Sequence, residues 1–151
     1  MDVVSVSASG AYDTKNVGTA KTVTITYTLN GADNAKYTLA SNTSTTTAAI
    51  TAKGLTVTGA SVSTRAYNGL TNATIIGASL SGVVSPDVVT VSGNGTFASA
   101  NAGSSIPVTA AFILNGTDAS NYTVTQPTSL AGTITTAALT ITGLTGNNKT
   151  Y

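Results

Sequence analysis

The chain has no cysteine, no histidine, no tryptophan and no glutamate, and only 7% of its 151 residues are charged. Each absence removes a class of function. Without cysteine, no disulfide staples the fold and no thiolate binds metal or attacks a substrate. Without histidine, the hydrolytic triads and most zinc sites lose their usual base and ligand. We therefore expect no enzyme, no catalytic residues and no cofactor. A formal net charge of +1 leaves no basic stripe to neutralise phosphates, so no nucleic acid is expected as a partner. No apolar run approaches the roughly 20 residues of a membrane-crossing helix, so no membrane span is expected in these residues. The opening Met1-Asp2-Val3-Val4 lacks the basic and apolar regions of a signal peptide, which puts any export signal outside this fragment. Small extracellular eukaryotic modules usually carry disulfides, so their absence directs the reading to a bacterial exported protein or an intracellular one.

What fills the chain instead is Thr, Ser, Asn and Gly around an apolar fraction of 41%. Thr is β-branched and suits a half-wet pleated surface, whereas the helix-favouring Glu, Lys and Gln are scarce. Val23, Ile25, Tyr27 and Leu29 alternate with Thr24, Thr26 and Thr28, the period of a strand with one dry face. Shorter strands are expected at 4–8, 37–40, 55–58, 74–76, 89–92 and 139–142. Asn-Gly pairs mark turns at Asn30-Gly31, Asn68-Gly69, Asn94-Gly95 and Asn115-Gly116. Residues 33–37 and 118–122 suit single helical turns.

A repeat organises these elements. Asp2-Val-Val-Ser-Val-Ser returns as Asp87-Val-Val-Thr-Val-Ser, and Leu29-Asn-Gly-Ala-Asp33 as Leu114-Asn-Gly-Thr-Asp118. Gly10-Ala-Tyr12 matches Gly95-Thr-Phe97, and Tyr37-Thr-Leu39 matches Tyr122-Thr-Val124. The offset is 85 residues there (Asp2 to Asp87) and 84 for Leu55-Thr-Val-Thr-Gly59, which returns as Leu139-Thr-Ile-Thr-Gly143. The expected organisation is the later part of one repeat at 1–53, a complete repeat at 54–137 and the opening of another at 138–151. The expected fold is all-β, a tandem small β-sandwich (Ig-like) of about 85 residues per repeat, with a β-grasp-like mostly-β unit as the alternative.

One series of motifs has a familiar look: Leu55-Thr-Val-Thr-Gly, Arg65-Ala-Tyr67-Asn-Gly69, Ala78-Ser-Leu-Ser-Gly82, Asn115-Gly-Thr-Asp118-Ala-Ser-Asn121-Tyr122 and Gly132-Thr-Ile-Thr. It resembles the YDG-type and related MBG-type repeats of large bacterial surface adhesins and filamentous-haemagglutinin-like exoproteins. The family's Tyr-Asp-Gly stands here as Tyr67-Asn68-Gly69, an exchange that a tight turn accepts. The resemblance implies an extracellular, cell-surface stalk or spacer repeat that projects a binding tip, and it carries no catalytic set. Its partners would be neighbouring repeats of the same chain, with a host glycan or surface protein engaged through other regions. The alternative is a carbohydrate- or host-protein-binding module within the same adhesin.

Candidate sites are few. Asp33 and Asp118 occupy matching loops and are weak calcium candidates, because calcium collects several oxygen ligands and each loop offers one carboxylate. The plainer reading is an Asp that caps the following turn or bonds nearby backbone N–H groups. The aromatic pairs Tyr12/Phe97 and Tyr27/Phe112 exchange Tyr for Phe, so the ring is wanted as core bulk. Tyr37, Tyr67 and Tyr122 are expected to bond turn carbonyls. An isopeptide-forming Lys53 is disfavoured because it becomes Ala137 in the next copy. Finally, the segment 139–151 has the pattern of the opening strand that the first copy lacks, which suggests strand addition between molecules.

Overall fold

The two best alternating segments become the two longest strands. In the computed structural model, which describes residues 1–151, β1 (Ser5–Tyr12) and β2 (Gly18–Asn30) form an antiparallel hairpin that sets Val6 opposite Leu29 and Tyr12 opposite Val23. β3 (Thr43–Ile50) joins the other side of β2, completing a three-stranded sheet. Short strands follow: β4 (Lys53–Thr58), β5 (Ser61–Val62), β6 (Arg65–Ala66), β7 (Asn72–Ala73), β8 (Ile75–Ile76) and β9 (Ser79–Ser81). Then β10 (Thr90–Phe97) and β11 (Gly103–Asn115) repeat the opening hairpin, and β12 (Tyr122–Thr125) and β13 (Leu130–Thr135) close the fold. The second hairpin keeps the register of the first, with Val91 opposite Leu114 and Phe97 opposite Val108.

The fold is all-β. Residues from Lys53 onward form a five-stranded sheet of order β6-β13-β11-β10-β7, a three-stranded sheet β12-β4-β9 and the pair β5-β8. The short strands lie against the long sheet, β5 on β13, β12 on β11, and β8 and β9 on β10. Helix is confined to two 3-10 turns, Asn34–Lys36 and Ala119–Asn121, where single turns are expected from the sequence. Neither is the full helix of a β-grasp unit. Two pairings are parallel, β4 with β12 and β6 with β13, so the opening and closing strands of this part of the chain run side by side.

Alternation directs side chains to one face, and the layers above bury them. Phe97, Ile134, Ala73 and Val108 form the core, with Val62, Ile106 and Leu130 packed around it. Leu55, Ala110, Phe112 and Tyr122 are buried beside them. Gly132 has no room for a side chain, because a Cβ there would lie 2.5 Å from Val62 Cγ1 and 3.0 Å from Phe97 Cε1. Gly132→Ala is therefore expected to cost about 1–3 kcal/mol through overpacking. Urea denaturation checks this, and an unchanged midpoint would contradict the packing described.

Four expectations are corrected. First, Tyr12 is 46% exposed while its counterpart Phe97 is 2% exposed. Tyr27 is only half-buried, its hydroxyl sharing a 2.9 Å hydrogen bond with Ser44 Oγ, whereas Phe112 is buried. The hairpins match, but only the second is covered by β4–β9. Second, Asn94-Gly95 is no turn: it lies inside β10, where a Cβ on Gly95 would meet Val108 Cγ1 at 2.7 Å. Third, residues 37–40 are not a strand, although the equivalent β12 is, because β12 pairs with β4 and 37–40 have no such partner. Fourth, residues 139–142 are unpaired as well, with Leu139 and Ile141 exposed.

Candidate functional site

Each hairpin ends in an Asn-Gly turn that folds back over the entry to its own first strand. Gly31 and Gly116 adopt φ of 106° and 108°, and a Cβ on either would fall 2.2 or 2.3 Å from the carbonyl oxygen of Val3 or Val88. Only glycine permits that approach. Asn30 Nδ2 donates to Ser7 Oγ, and Asn115 Nδ2 repeats this with Ser92 Oγ, so each turn is tied to the facing strand. These four turn residues sit where the sequence places a turn.

The aspartate that follows does something else than cap. Neither Asp33 nor Asp118 makes a side-chain capping hydrogen bond to the backbone of its 3-10 turn. Asp33 Oδ2 instead accepts from Val3 N at 2.8 Å, while Asp33 N donates back to Val3 O at 3.2 Å. Asp118 and Val88 repeat the exchange at 2.9 and 3.3 Å. The side chain turns across to the strand entry because Val3 and Val88 offer a backbone N–H there, 30 residues away in sequence. The tyrosines also find carboxylates rather than turn carbonyls. Tyr37 Oη donates to Asp2 Oδ2 at 3.0 Å, and Tyr122 Oη to Asp87 Oδ2 at 2.7 Å. Tyr122 Oη further accepts from Val84 N at 3.2 Å.

Each copy thus builds an acid pair, Asp2/Asp33 and Asp87/Asp118. The second pair receives the ammonium of Lys15, which stands in the β1–β2 loop of the first copy, at 2.5 Å from Asp87 Oδ1 and 2.9 Å from Asp118 Oδ1. Lys15 is followed by two more links across the same boundary. Val17 N donates to Asn121 Oδ1 at 2.9 Å, and Asn121 Nδ2 donates to Asn16 Oδ1 at 3.1 Å. A cleft of about 410 Å³ lies here, with Lys15, Val17, Lys53, Pro86, Asp87 and Tyr122 among its walls. The two carboxylates are largely shielded, with 10% and 16% of their side chains exposed, while Lys15 keeps 61% exposed.

Lys15, followed by Tyr122, holds Asp87 below the ordinary aspartate range, and Lys15, followed by the Val88 N–H, does the same to Asp118. The Lys15 ammonium is pushed up in return, by Asp118 first and Asp87 second. Burial, assisted by the hydrogen bond to Asp87, raises the Tyr122 phenol. The calcium candidates Asp33 and Asp118 thus serve separate cradles, each already occupied by a lysine and a backbone donor. Chemically the arrangement is a polar clasp between two stretches of β structure.

The YDG domain family matches residues 1–47 and 51–129. The chain belongs to the YDG domain family. No curated protein and no solved structure matches it. Every member of the clasp, from Lys15 to Tyr122, falls inside the YDG match. The YDG-type turn itself lies apart from the clasp. There Asn68 Oδ1 accepts from the Arg65 guanidinium and from Leu70 N, Gly69 takes φ 78°, and the guanidinium stands 5.4 Å from the Phe97 ring centroid. Arg65 also donates to Leu70 O, and Tyr67 remains exposed. This YDG turn therefore anchors a short loop to the core by an Arg–aromatic contact.

Sequence reasoning passed over Lys15, Asn16, Asp87 and Asn121. The available signal was an exchange of charge between copies, since Lys15 stands where the second copy has Ala100 and Lys36 where it has Asn121.

The lowered aspartates make the clasp acid-sensitive in one direction. Their folded values lie below the unfolded value of about 3.9, so the ionic contribution is complete above that pH. It is lost as pH falls through the lowered folded values. Amide resonances of Val17 and Val88 are expected to stay constant from about pH 5 to 8 and to shift only below about pH 4. A midpoint near neutrality would contradict the assignment.

Proposed function

We propose that the chain is a structural stalk or spacer segment of an extracellular bacterial adhesin, built from YDG repeats that hold a binding tip away from the cell surface. It carries no reaction in this reading, and its partners are neighbouring repeats. The observation that supports it most is the parallel pairing of opening and closing strands. Tyr122 to Thr125 run beside Lys53 to Thr56, and Ile134 and Thr135 run beside Arg65 and Ala66. Tension applied through the two ends pulls such strands in opposite directions along their own axes. Their ladder bonds are then loaded together in shear rather than opened one at a time. Low charge and many hydroxyls suit a surface that stays hydrated without recruiting particular partners.

Single-molecule stretching of tandem complete repeats tests this, combined with glycan-array binding on the same material. The expected result is evenly spaced unfolding peaks, each releasing roughly 280 Å of chain at about 3.4 Å per residue for the 83 residues from Lys53 to Thr135. Saturable glycan binding by the repeat itself would overturn the reading and make the unit a lectin-like module.

A further inference from the structure

The two acid pairs are equivalent in sequence and geometry, yet their lysines come from different places. In the first copy Lys36, in the 3-10 turn, lies 2.6 Å from Asp33 Oδ1 and 3.4 Å from Asp2 Oδ1. The cation and both acids belong to one copy. The equivalent of Lys36 in the second copy, 85 residues on, is Asn121, which has no charge to give. There the acid pair takes Lys15 from the preceding copy. Asn121 does more than stand aside, because its amide accepts from Val17 N and donates to Asn16 Oδ1, the two residues after Lys15. One residue thus vacates the cation position and binds the loop that refills it.

We propose that this position is a coupling selector, and that the face around the acid pair is a docking surface for a preceding repeat that presents lysine in its β1–β2 loop. A repeat with Asn here couples to such a neighbour. A repeat with Lys here closes its own acid pair and forms no ionic junction. Ala100, the counterpart of Lys15, marks the second copy as one that offers no lysine onward. Stiff and loose junctions along an array are then written by two positions, the loop lysine and the turn residue. The inference goes beyond the stalk reading and depends on no particular tip or host ligand.

Because the chain has no cysteine, a pair of introduced ones labels it uniquely. Thr24→Cys in β2 and Thr109→Cys in β11 are both exposed sites, one on each side of the junction. Spin labels there report the spread of inter-copy distances by pulsed electron resonance on the full 151-residue chain. The parent is expected to give one narrow distribution. Lys15→Ala and Asn121→Lys are each expected to broaden it at least twofold, and combining them to add nothing further. Asn121→Ala, which loses the amide contacts but supplies no competing cation, is expected to stay closer to the parent. An Asn121→Lys chain as narrow as the parent would overturn the proposal. So would equal broadening by Asn121→Ala and Asn121→Lys, since the amide alone would then hold the junction. Folding is not at stake, because Lys36 already occupies the equivalent place in the first copy, and Lys15 is an exposed loop residue.

Discussion

Replacing Phe97 with alanine is expected to destabilise the chain by about 3–5 kcal/mol, whereas the same change at Tyr12 is expected to cost under about 1 kcal/mol. The two residues hold one position in two copies of one hairpin. Tyr12 faces Val23 as Phe97 faces Val108. What differs is the cover. Phe97 packs against Ala73, Val108 and Ile134, and its ring carries the Arg65 guanidinium on one side. Removing it leaves a cavity that the neighbouring β-ladders cannot close without shifting register, and strips Arg65 of its aromatic contact. Tyr12 loses little because its ring is already half in water. Urea denaturation of both variants followed by circular dichroism makes the comparison. Similar losses for the two would mean that the first hairpin has a covered core of its own.

The second large effect concerns local opening. All nine buried residues lie between Leu55 and Ile134, and the 54 residues before Leu55 contribute none. Both hairpins have full backbone ladders, so bond count does not separate them. Opening β10 and β11 exposes Phe97, Val108, Ala110 and Phe112 to water. Opening β1 and β2 exposes side chains that are half wet already. Amides of β10–β11 are therefore expected to exchange at the rate of global unfolding, and those of β1–β2 roughly 100-fold faster or more. Hydrogen exchange followed by NMR at pH 7 reads this residue by residue. Equal protection in the two hairpins would contradict it.

These contrasts show how far local pattern reaches. The alternation of 23–29 is a property of neighbours, and it predicted β2 and, through the repeat, β11. Gly31, Gly69 and Gly116 were legible as turns because positive φ is a demand that a single residue meets. The same rule misplaced Asn94-Gly95. There glycine answers a different need, the close approach of Val108 and Ala73 across the sheet, which no dipeptide signal distinguishes from a turn. The candidate site was the least legible part. Asp33 and Asp118 were found as matching loop acids, but their partners were expected nearby and lie instead at Val3 and Val88.

From its sequence alone the chain was determined to be all-β, repeated with an offset of about 85 residues, furnished with single helical turns shortly after Asn30-Gly31 and Asn115-Gly116, and in the YDG-like pattern. All of that rests on contacts within a hairpin or on residues that constrain their own backbone. Only the tertiary structure decided that β4 pairs in parallel with β12, that Phe97 is buried while Tyr12 is not, and that Lys15 reaches Asp87 across 72 residues. Those outcomes depend on which segment covers which face, and a periodicity of two states that a face is apolar without naming its cover.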